Sequence, residues 1–207
     1  MARDPNNLDV LALRNVVATL DEGEGADDAS SDLLLDRVIQ AADRGVRVRI
    51  LVDDIHLIGE DRAVAALNQH PQIEVRLFNP AKGRSGSSVL YGIEFLGNVK
   101  QLNQRMHNKL IVADNRFTIV GGRNIGNEYF DADPDLTFAD LDVMGIGPVA
   151  REASASFDLY WNSELAYPAG VLLGKPPTPE EVSHKLQQLQ QFVADQADSE
   201  YLKALRN

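Results

Sequence analysis

Residues 105–130 decide the fold, and they read RMHNKLIVADNRFTIVGGRNIGNEYF. Two apolar runs, at 110–113 and 117–120, flank the turn-forming residues 114–116, a pattern that predicts two strands joined as a hairpin. His107 and Lys109 are two residues apart at the entry to the first strand. Because side chains two apart on a strand face the same way, one face of this strand presents an imidazole beside an ammonium.

These residue types suit an anionic phosphate ligand. Lys109 would hold phosphate oxygens by its charge, and Asn124 offers an amide donor. The chain contains no cysteine, so His107 is the group of this segment that can act as a nucleophile at neutral pH. Gly121 and Gly122 allow the backbone to approach a ligand closely.

Local charge favours the same placement. Residues 82–123 contain seven lysines and arginines but only two acids, whereas the whole chain has a net charge of −11. A basic segment in an acidic chain indicates an anion site. The alternative from charge alone is a hydrated basic face with no ligand. The overall negative charge argues against nucleic acid as a partner, since an acidic surface repels polyanions.

The residues before the hairpin alternate between strand and helix patterns. Strands are predicted at 8–17, 46–52 and 73–78, with helices between them, which implies right-handed crossovers and a largely parallel sheet. Ser31 and Asp32 are predicted to cap the first helix, and Gly45 to end it. The second helix is expected over residues 61–68. A further strand is predicted at 140–146, followed by a helix at 149–161, and residues 93–105 are expected to be helical or irregular.

The C-terminal part differs in character. We predict a domain at 1–174 and, at 175–207, a linker with an amphipathic helix. Thr178 and Glu181 fit a capping box, with Pro179 at the first helical position. Apolar residues then recur at helical spacing: Val182, Leu186, Leu189, Val193 and Ala197. The helix either packs on its own domain or forms an interface.

Composition sets further limits. The 207 residues are 44% hydrophobic and 25% charged, as in an ordinary globular protein. No run of eighteen apolar residues predicts a transmembrane helix. The acidic run at 21–28 lacks the alternating spacing of a calcium loop and is expected to be solvated. Asp53, Asp54 and His56 follow a strand and could bind a metal, although a loop with capping acids is the preferred interpretation.

The spacing His107-x-Lys109-x4-Asp114-x6-Gly121-Gly122-x-Asn124 resembles the HKD motif of the phospholipase D superfamily. The stretches RMHNK, VGGRNIGNEYF, FADLDVMGIGPVARE and FDLYWNS are similar to the amino-terminal half of bacterial cardiolipin synthases of the C type. This resemblance implies an α/β fold: a phospholipase D-like α/β/α sandwich with a mixed, mainly parallel sheet and one HKD half-site. It implies no cofactor and no metal.

The resemblance also implies a role for each residue. His107 would be the nucleophile, or its partner acid, in a phosphohistidine mechanism, while Lys109 and Asn124 would bind the phosphate. Asp114 would brace the turn. An acid on the strand after the glycines would orient the histidine, and counting back from the Gly-Pro pair at 147–148 matches it to Asp140, with Asp142 as the alternative.

Enzymes of this superfamily use two facing HKD motifs, whereas this chain has one. His56, His70 and His184 have no lysine two residues on. Either two chains pair as a homodimer, or the chain is half of a longer protein with a missing second HKD half.

The resemblance implies phosphatidyl transfer by a bacterial protein, peripheral at the inner membrane or cytoplasmic. The expected partners are the membrane surface and a phospholipid of the phosphatidylglycerol or phosphatidylethanolamine type. A homodimeric phosphodiesterase or nuclease and an inactive half-enzyme are the alternatives, and the net negative charge weighs against a nuclease.

Overall fold

The computed structural model describes residues 15–20, 29–53, 61–80, 105–130, 135–172 and 177–195. These residues form seven strands of one sheet, five α-helices and a short 3-10 turn. The strands are β1 (Asn15–Leu20), β2 (Arg47–Asp53), β3 (Ile73–Phe78), β4 (Lys109–Ala113), β5 (Phe117–Gly121), β6 (Asp142–Ile146) and β7 (Ala166–Pro168). The helices are α1 (Ala29–Asp43), α2 (Asp61–Leu67), α3 (Pro148–Trp161), α4 (Ala169–Leu172) and α5 (Pro179–Asp195).

Several predicted features fall outside the described residues. They are the start of the first strand before residue 15, the acidic run at 21–28, Asp54 and His56, the basic loop at 82–88, the segment at 93–104 and Ala197. The division of the chain after residue 174 stays a prediction.

The sheet has the strand order β6-β5-β4-β1-β2-β3-β7. The mixed α/β class is confirmed, but the expectation of a mainly parallel sheet was wrong. Among the described strands, only β1–β2 and β2–β3 pair in parallel, and the other four pairings are antiparallel. The helical crossovers through α1 and α2 produce the parallel part, whereas short connections such as the β4–β5 hairpin produce antiparallel pairs.

The predicted hairpin turn has a specific backbone geometry. Asp114 and Asn115 both have positive φ, at 50° and 56°, and the Arg116 amide donates to the Ala113 carbonyl at 3.0 Å. Two successive residues with positive φ twist a turn in the sense that antiparallel strands require, and Asn and Asp tolerate this conformation better than most residues.

Helices cover both faces of the sheet, so the α/β/α arrangement is confirmed. One cluster joins α1, α2 and α4 to alternate residues of β2 and β3, including Ile50 and Val75. The other cluster joins α3 to the opposite face through Leu51, Phe157 and Trp161. Because successive side chains of a strand point to opposite faces, β2 and β3 contribute to both clusters.

The start of α1 corrects one sequence prediction. The helix begins at Ala29, so Ser31 and Asp32 lie in its first turn and do not precede it. The side-chain oxygen of Asn127 accepts a hydrogen bond from the Ser30 amide at 3.1 Å. A residue 97 positions away in the sequence therefore satisfies one of the amides exposed at this helix terminus.

The structure places α5 beside α1 and α2, where Leu186 and Leu189 pack against the first cluster. Its predicted capping box is confirmed: the Thr178 amide donates to Glu181 Oε2 at 2.8 Å, and the Glu181 amide donates to Thr178 Oγ1 at 3.3 Å. Within the part of the chain that the structure describes, no helix is long and apolar enough to cross a bilayer.

Candidate active site

The candidate site lies at the edge of the sheet where the parallel strands β1, β2 and β3 end. Since β4 runs antiparallel to β1, its first residue, Lys109, lies at this same edge. Lys109 pairs in register with Gly121 of β5, which pairs with Asp142 of β6. Loops beyond the carboxyl ends of parallel strands are a common place for ligand sites in α/β proteins.

Gly121 allows close packing within this row. A Cβ at residue 121 would overlap the carboxylate of Asp142 and would lie 2.8 Å from the Leu141 carbonyl oxygen. The Asp142 carboxylate therefore occupies the space where a side chain of residue 121 would lie. This space is on the same face of the sheet as the Lys109 side chain, because cross-strand partners share a face. The same carboxylate forms an ion pair with Arg123, with Nε and Oδ2 3.0 Å apart.

His107 lies just before β4, and Lys109 is the first residue of that strand. The Lys109 ammonium donates to the backbone carbonyl oxygen of His107 at 3.1 Å, and His107 is exposed. The imidazole is therefore accessible from outside the protein, and the ammonium lies within reach of the same surface.

A buried ion pair anchors the segment that carries His107. Asp53, at the end of β2, is 2% exposed and accepts a hydrogen bond from Arg105 Nη1 at 3.0 Å. Its second oxygen accepts from the Met106 amide at 2.9 Å. A carboxylate with two such donors fixes the backbone immediately before His107. This contact was not predicted, because the sequence pattern suggested only a capping or metal-binding role for Asp53.

Asn124 lies in the loop that follows β5. Its Nδ2 donates to the Tyr129 hydroxyl at 3.3 Å, and the Tyr129 ring packs on Phe138 with centroids 5.2 Å apart. Among the described residues, the buried Oδ1 of Asn124 has no hydrogen-bond partner. The Nδ2 atom of Asn124 is thus bonded to Tyr129, whereas its Oδ1 atom can still accept a hydrogen bond.

The two remaining predicted residues lie in different places. Asp140 is exposed, its Oδ1 accepts from the Leu141 amide at 2.6 Å, and a Cβ at Gly122 would lie 2.6 Å from that same oxygen. Asp114 lies in the hairpin turn at the far end of β4 from Lys109, a separation of roughly 16 Å along the strand. The structure therefore places Asp140 near the motif glycines and Asp114 away from them.

Arg123 is a site residue that the sequence analysis missed. Besides its ion pair with Asp142, it donates to the carbonyl oxygens of Tyr129 at 2.7 Å and Asp140 at 3.2 Å. Its guanidinium lies 5.2 Å from the Phe130 ring centroid. Arg123 thereby fastens the loop after β5 to the start of β6. In the sequence, the only indication of this role was the position of Arg123 between Gly122 and Asn124.

The described residues contain no group of three or more histidines and acids placed to hold a metal ion. The donors gathered at this edge are instead an imidazole, an ammonium, a guanidinium and a carboxamide. Cations and amides of this kind recognise anionic oxygens, including those of phosphate groups.

A mixed α/β/α sandwich with His-x-Lys at one strand entry and Gly-Gly-x-Asn at the next strand exit is the arrangement of a phospholipase D-like domain. The family described as cardiolipin synthase, PLD-like domain, matches residues 28–161. The chain belongs to this family, which confirms the resemblance noted in the sequence.

Two relatives are similar over most of this chain. Cardiolipin synthase C of Escherichia coli (strain K12) is 44% identical over 150 residues, which cover 72% of this chain and 31% of that protein. An uncharacterized protein of Helicobacter pylori (strain ATCC 700392 / 26695) is 43% identical over 145 residues, covering 70% and 28% of the two chains. The chain thus spans less than a third of the length of either relative.

Among solved structures, NucT from Helicobacter pylori matches with a TM-score of 0.46 and 14% identity, covering 75% of this chain and 82% of that one.

Proposed function

We propose that this chain supplies one half of a phosphatidyltransferase site of the cardiolipin synthase kind. The observation that carries the proposal is the exposed His107 beside the in-register row of Lys109, Gly121 and Asp142. This arrangement lies within the residues that match the cardiolipin synthase family. The proposed substrate is a phospholipid of the phosphatidylglycerol or phosphatidylethanolamine type, bound from a membrane surface to which the protein is peripheral.

In the proposed reaction, a ring nitrogen of His107 attacks the phosphorus of the phospholipid. The new P–N bond forms as the bond from phosphorus to the headgroup oxygen breaks, which leaves a phosphatidyl-histidine. The Lys109 ammonium and the Asn124 amide hold the non-bridging oxygens and stabilise the charge that develops on them. A hydroxyl of a second phospholipid, or of water, then attacks phosphorus, and the P–N bond breaks to release His107.

The headgroup oxygen must receive a proton as it leaves, and the attacking hydroxyl must later lose one. A second histidine can do both, first as general acid and then as general base. No other histidine of this chain has the His-x-Lys pattern. We therefore propose that a second HKD half, from another copy of this chain or from a longer form of it, faces this one.

The first experiment combines the mass in solution with an activity assay. Light scattering gives the oligomeric state, and release of headgroup from phosphatidylglycerol in detergent micelles gives the rate. We expect a dimer whose activity falls by about 10⁴-fold or more in His107→Ala, because the nucleophile is lost. His184→Ala, at an exposed position of α5, is the matched control and should keep wild-type activity.

A strict monomer with no turnover would mean that the second HKD half belongs to a longer form of this chain. Activity that survives His107→Ala would contradict the proposed nucleophile. Tight, salt-sensitive binding to DNA would instead favour the alternative of a homodimeric nuclease.

The acid that orients His107 can be identified by a pair of variants. Counting along the sequence favours Asp140, whereas the sheet register favours Asp142, which shares a row with Lys109. An orienting carboxylate stabilises the imidazolium, so its loss should shift the pH–rate profile as well as lower kcat. We expect Asp142→Asn to shift the profile and Asp140→Asn to leave it in place. The reverse result would assign the role to Asp140.

A further inference from the structure

A cavity of about 360 Å³ lies between the first half of α1 and the strands β4 and β5. Its volume is in the range of small-ligand sites in proteins. The described side chains around it are mostly apolar and only half-buried, so they retain surface that a ligand can cover. They are Leu33, Leu34, Ile111, Ile119, Ile125 and Phe130.

The same cavity is bordered by charged groups of the candidate site. Lys109, Arg123 and Asp142 line it together with Arg37 of α1. Three cationic side chains and one carboxylate give this border a net positive charge, and Asp142 is already paired with Arg123. The cavity therefore joins an apolar interior to a cationic edge at Lys109.

A ligand that matches both features is an amphiphile with an anionic group next to a hydrocarbon segment. We infer that the cavity holds the upper part of one acyl chain of a phospholipid whose phosphate lies at Lys109. This inference rests on the proposed function and adds a subsite to it. A water-soluble phosphodiester would leave the apolar walls uncovered, whereas an acyl chain buries them and gains hydrophobic free energy.

The sheet register offers a path for the rest of the acyl chain. Ile111, at the cavity wall, pairs with Ile119, which pairs with Met144 of β6. These three side chains lie on the same face of the sheet as Lys109, because cross-strand partners share a face. Met144 is 65% exposed, so the apolar row leads from the cavity to the open edge of the sheet.

Binding measurements on the full chain test this subsite without requiring turnover. The two probes are dihexanoyl phosphatidylglycerol below its critical micelle concentration and glycerophosphoglycerol, which has the same headgroup but no acyl chain. Calorimetry should show that the lipid binds at least about tenfold more tightly, as expected when several methylene groups are buried. Leu33→Trp, which fills the cavity, and Leu33→Asn, which makes its wall polar, should reduce this preference to about twofold or less.

Leu159→Asn is the matched control, because Leu159 is 76% exposed on α3 and does not border the cavity. It should leave the preference unchanged, and circular dichroism confirms that each variant is folded. Equal affinity for the two probes, no lipid binding, or a lipid preference that survives both Leu33 variants would overturn the subsite.

Lys109→Ala separates the subsite from the proposed function. This variant should weaken the binding of both probes by a similar factor, because both contain the phosphate. If Lys109→Ala changes neither affinity while the Leu33 variants still abolish the preference, the acyl subsite stands and the phosphate assignment fails.

Discussion

The sheet has a closed half and an open half. In the closed half, β2 and β3 are covered on both faces, and Leu51 and Leu77 have no exposed surface. In the open half, β6 forms the sheet edge, and Val143 and Met144 are 60% and 65% exposed. The candidate site lies where the two halves meet. The closed half is thus a core packed on both faces, whereas the open half leaves apolar side chains of β6 exposed.

Asp53 links the two halves, because it belongs to β2 and holds the segment that enters β4. Its carboxylate is 3% exposed, and its partner Arg105 is 15% exposed. A second ion pair, between Arg49 and Asp158, has nearly the same length, but its carboxylate is 46% exposed. The two pairs allow the effect of burial to be separated from the effect of charge.

The largest expected effect on stability follows from breaking the buried pair. Asp53→Ala should lower the free energy of unfolding by about 3–5 kcal/mol, because it leaves a largely buried guanidinium and the Met106 amide without their acceptor. Asp158→Ala should cost about 1 kcal/mol or less, since water screens the exposed pair. Urea denaturation measures both. Similar losses for the two variants would mean that burial does not distinguish these pairs.

A double variant sharpens this result. Arg105→Met in the Asp53→Ala background removes the uncompensated charge, so part of the lost stability should return. The proposed phosphatidyltransferase activity should fall in Asp53→Ala and should stay low in the double variant, because neither side chain then anchors the backbone before His107. Recovery of activity along with stability would show that the ion pair supports the fold but does not position His107.

The next-largest expected effect on stability comes from truncating one apolar side chain in each half of the sheet. Leu77→Ala should cost about 2–5 kcal/mol, because it leaves a cavity in a fully packed core. Met144→Ala should change stability by about 0.5 kcal/mol or less, as expected for an exposed position. Thermal unfolding followed by circular dichroism compares them. A large loss in Met144→Ala would mean that another part of the chain, or a second copy, covers β6 in solution.

The elements predicted correctly depend on residues close together in the sequence. The β4–β5 hairpin follows from two apolar runs and an Asp-Asn turn, and the α5 cap follows from Thr178 and Glu181. In these cases the partners lie within a few residues, so their spacing determines their contact.

The features that escaped prediction depend on distant residues. Asn127 satisfies the amide of Ser30 across 97 positions, and Asp53 binds Arg105 across 52. Strand directions beyond β3 depend on the order in which the chain returns to the sheet. No local pattern encodes these pairings, because they arise only when tertiary packing brings the segments together.

A smaller effect concerns α5, which packs on the closed half without burying any described residue fully. Thr178→Ala should lower the stability of this helix by about 1 kcal/mol, because the Glu181 amide loses its acceptor. Hydrogen exchange should increase in the first turn of α5 and stay unchanged in β2 and β3. Faster exchange throughout the sheet would show that α5 and the core unfold together.

The smallest expected effect is a pKa shift at Glu180. The pKa of its carboxyl group lies below the ordinary value, first because the carboxylate accepts a hydrogen bond from its own backbone amide and second because it accepts one from Thr178. A pKa that is lower in the folded state contributes stability above the unfolded value of about 4.3, and this contribution is lost as the pH falls below it. Thr178→Ala should therefore raise the pKa of Glu180 toward the ordinary value, as measured by an NMR titration of the side-chain carboxyl carbon. Thr137→Ala, at an exposed position outside the helices, is the control. An unchanged pKa in Thr178→Ala would mean that the backbone amide alone holds the carboxylate, and that the cap acts on the helix only through Glu181.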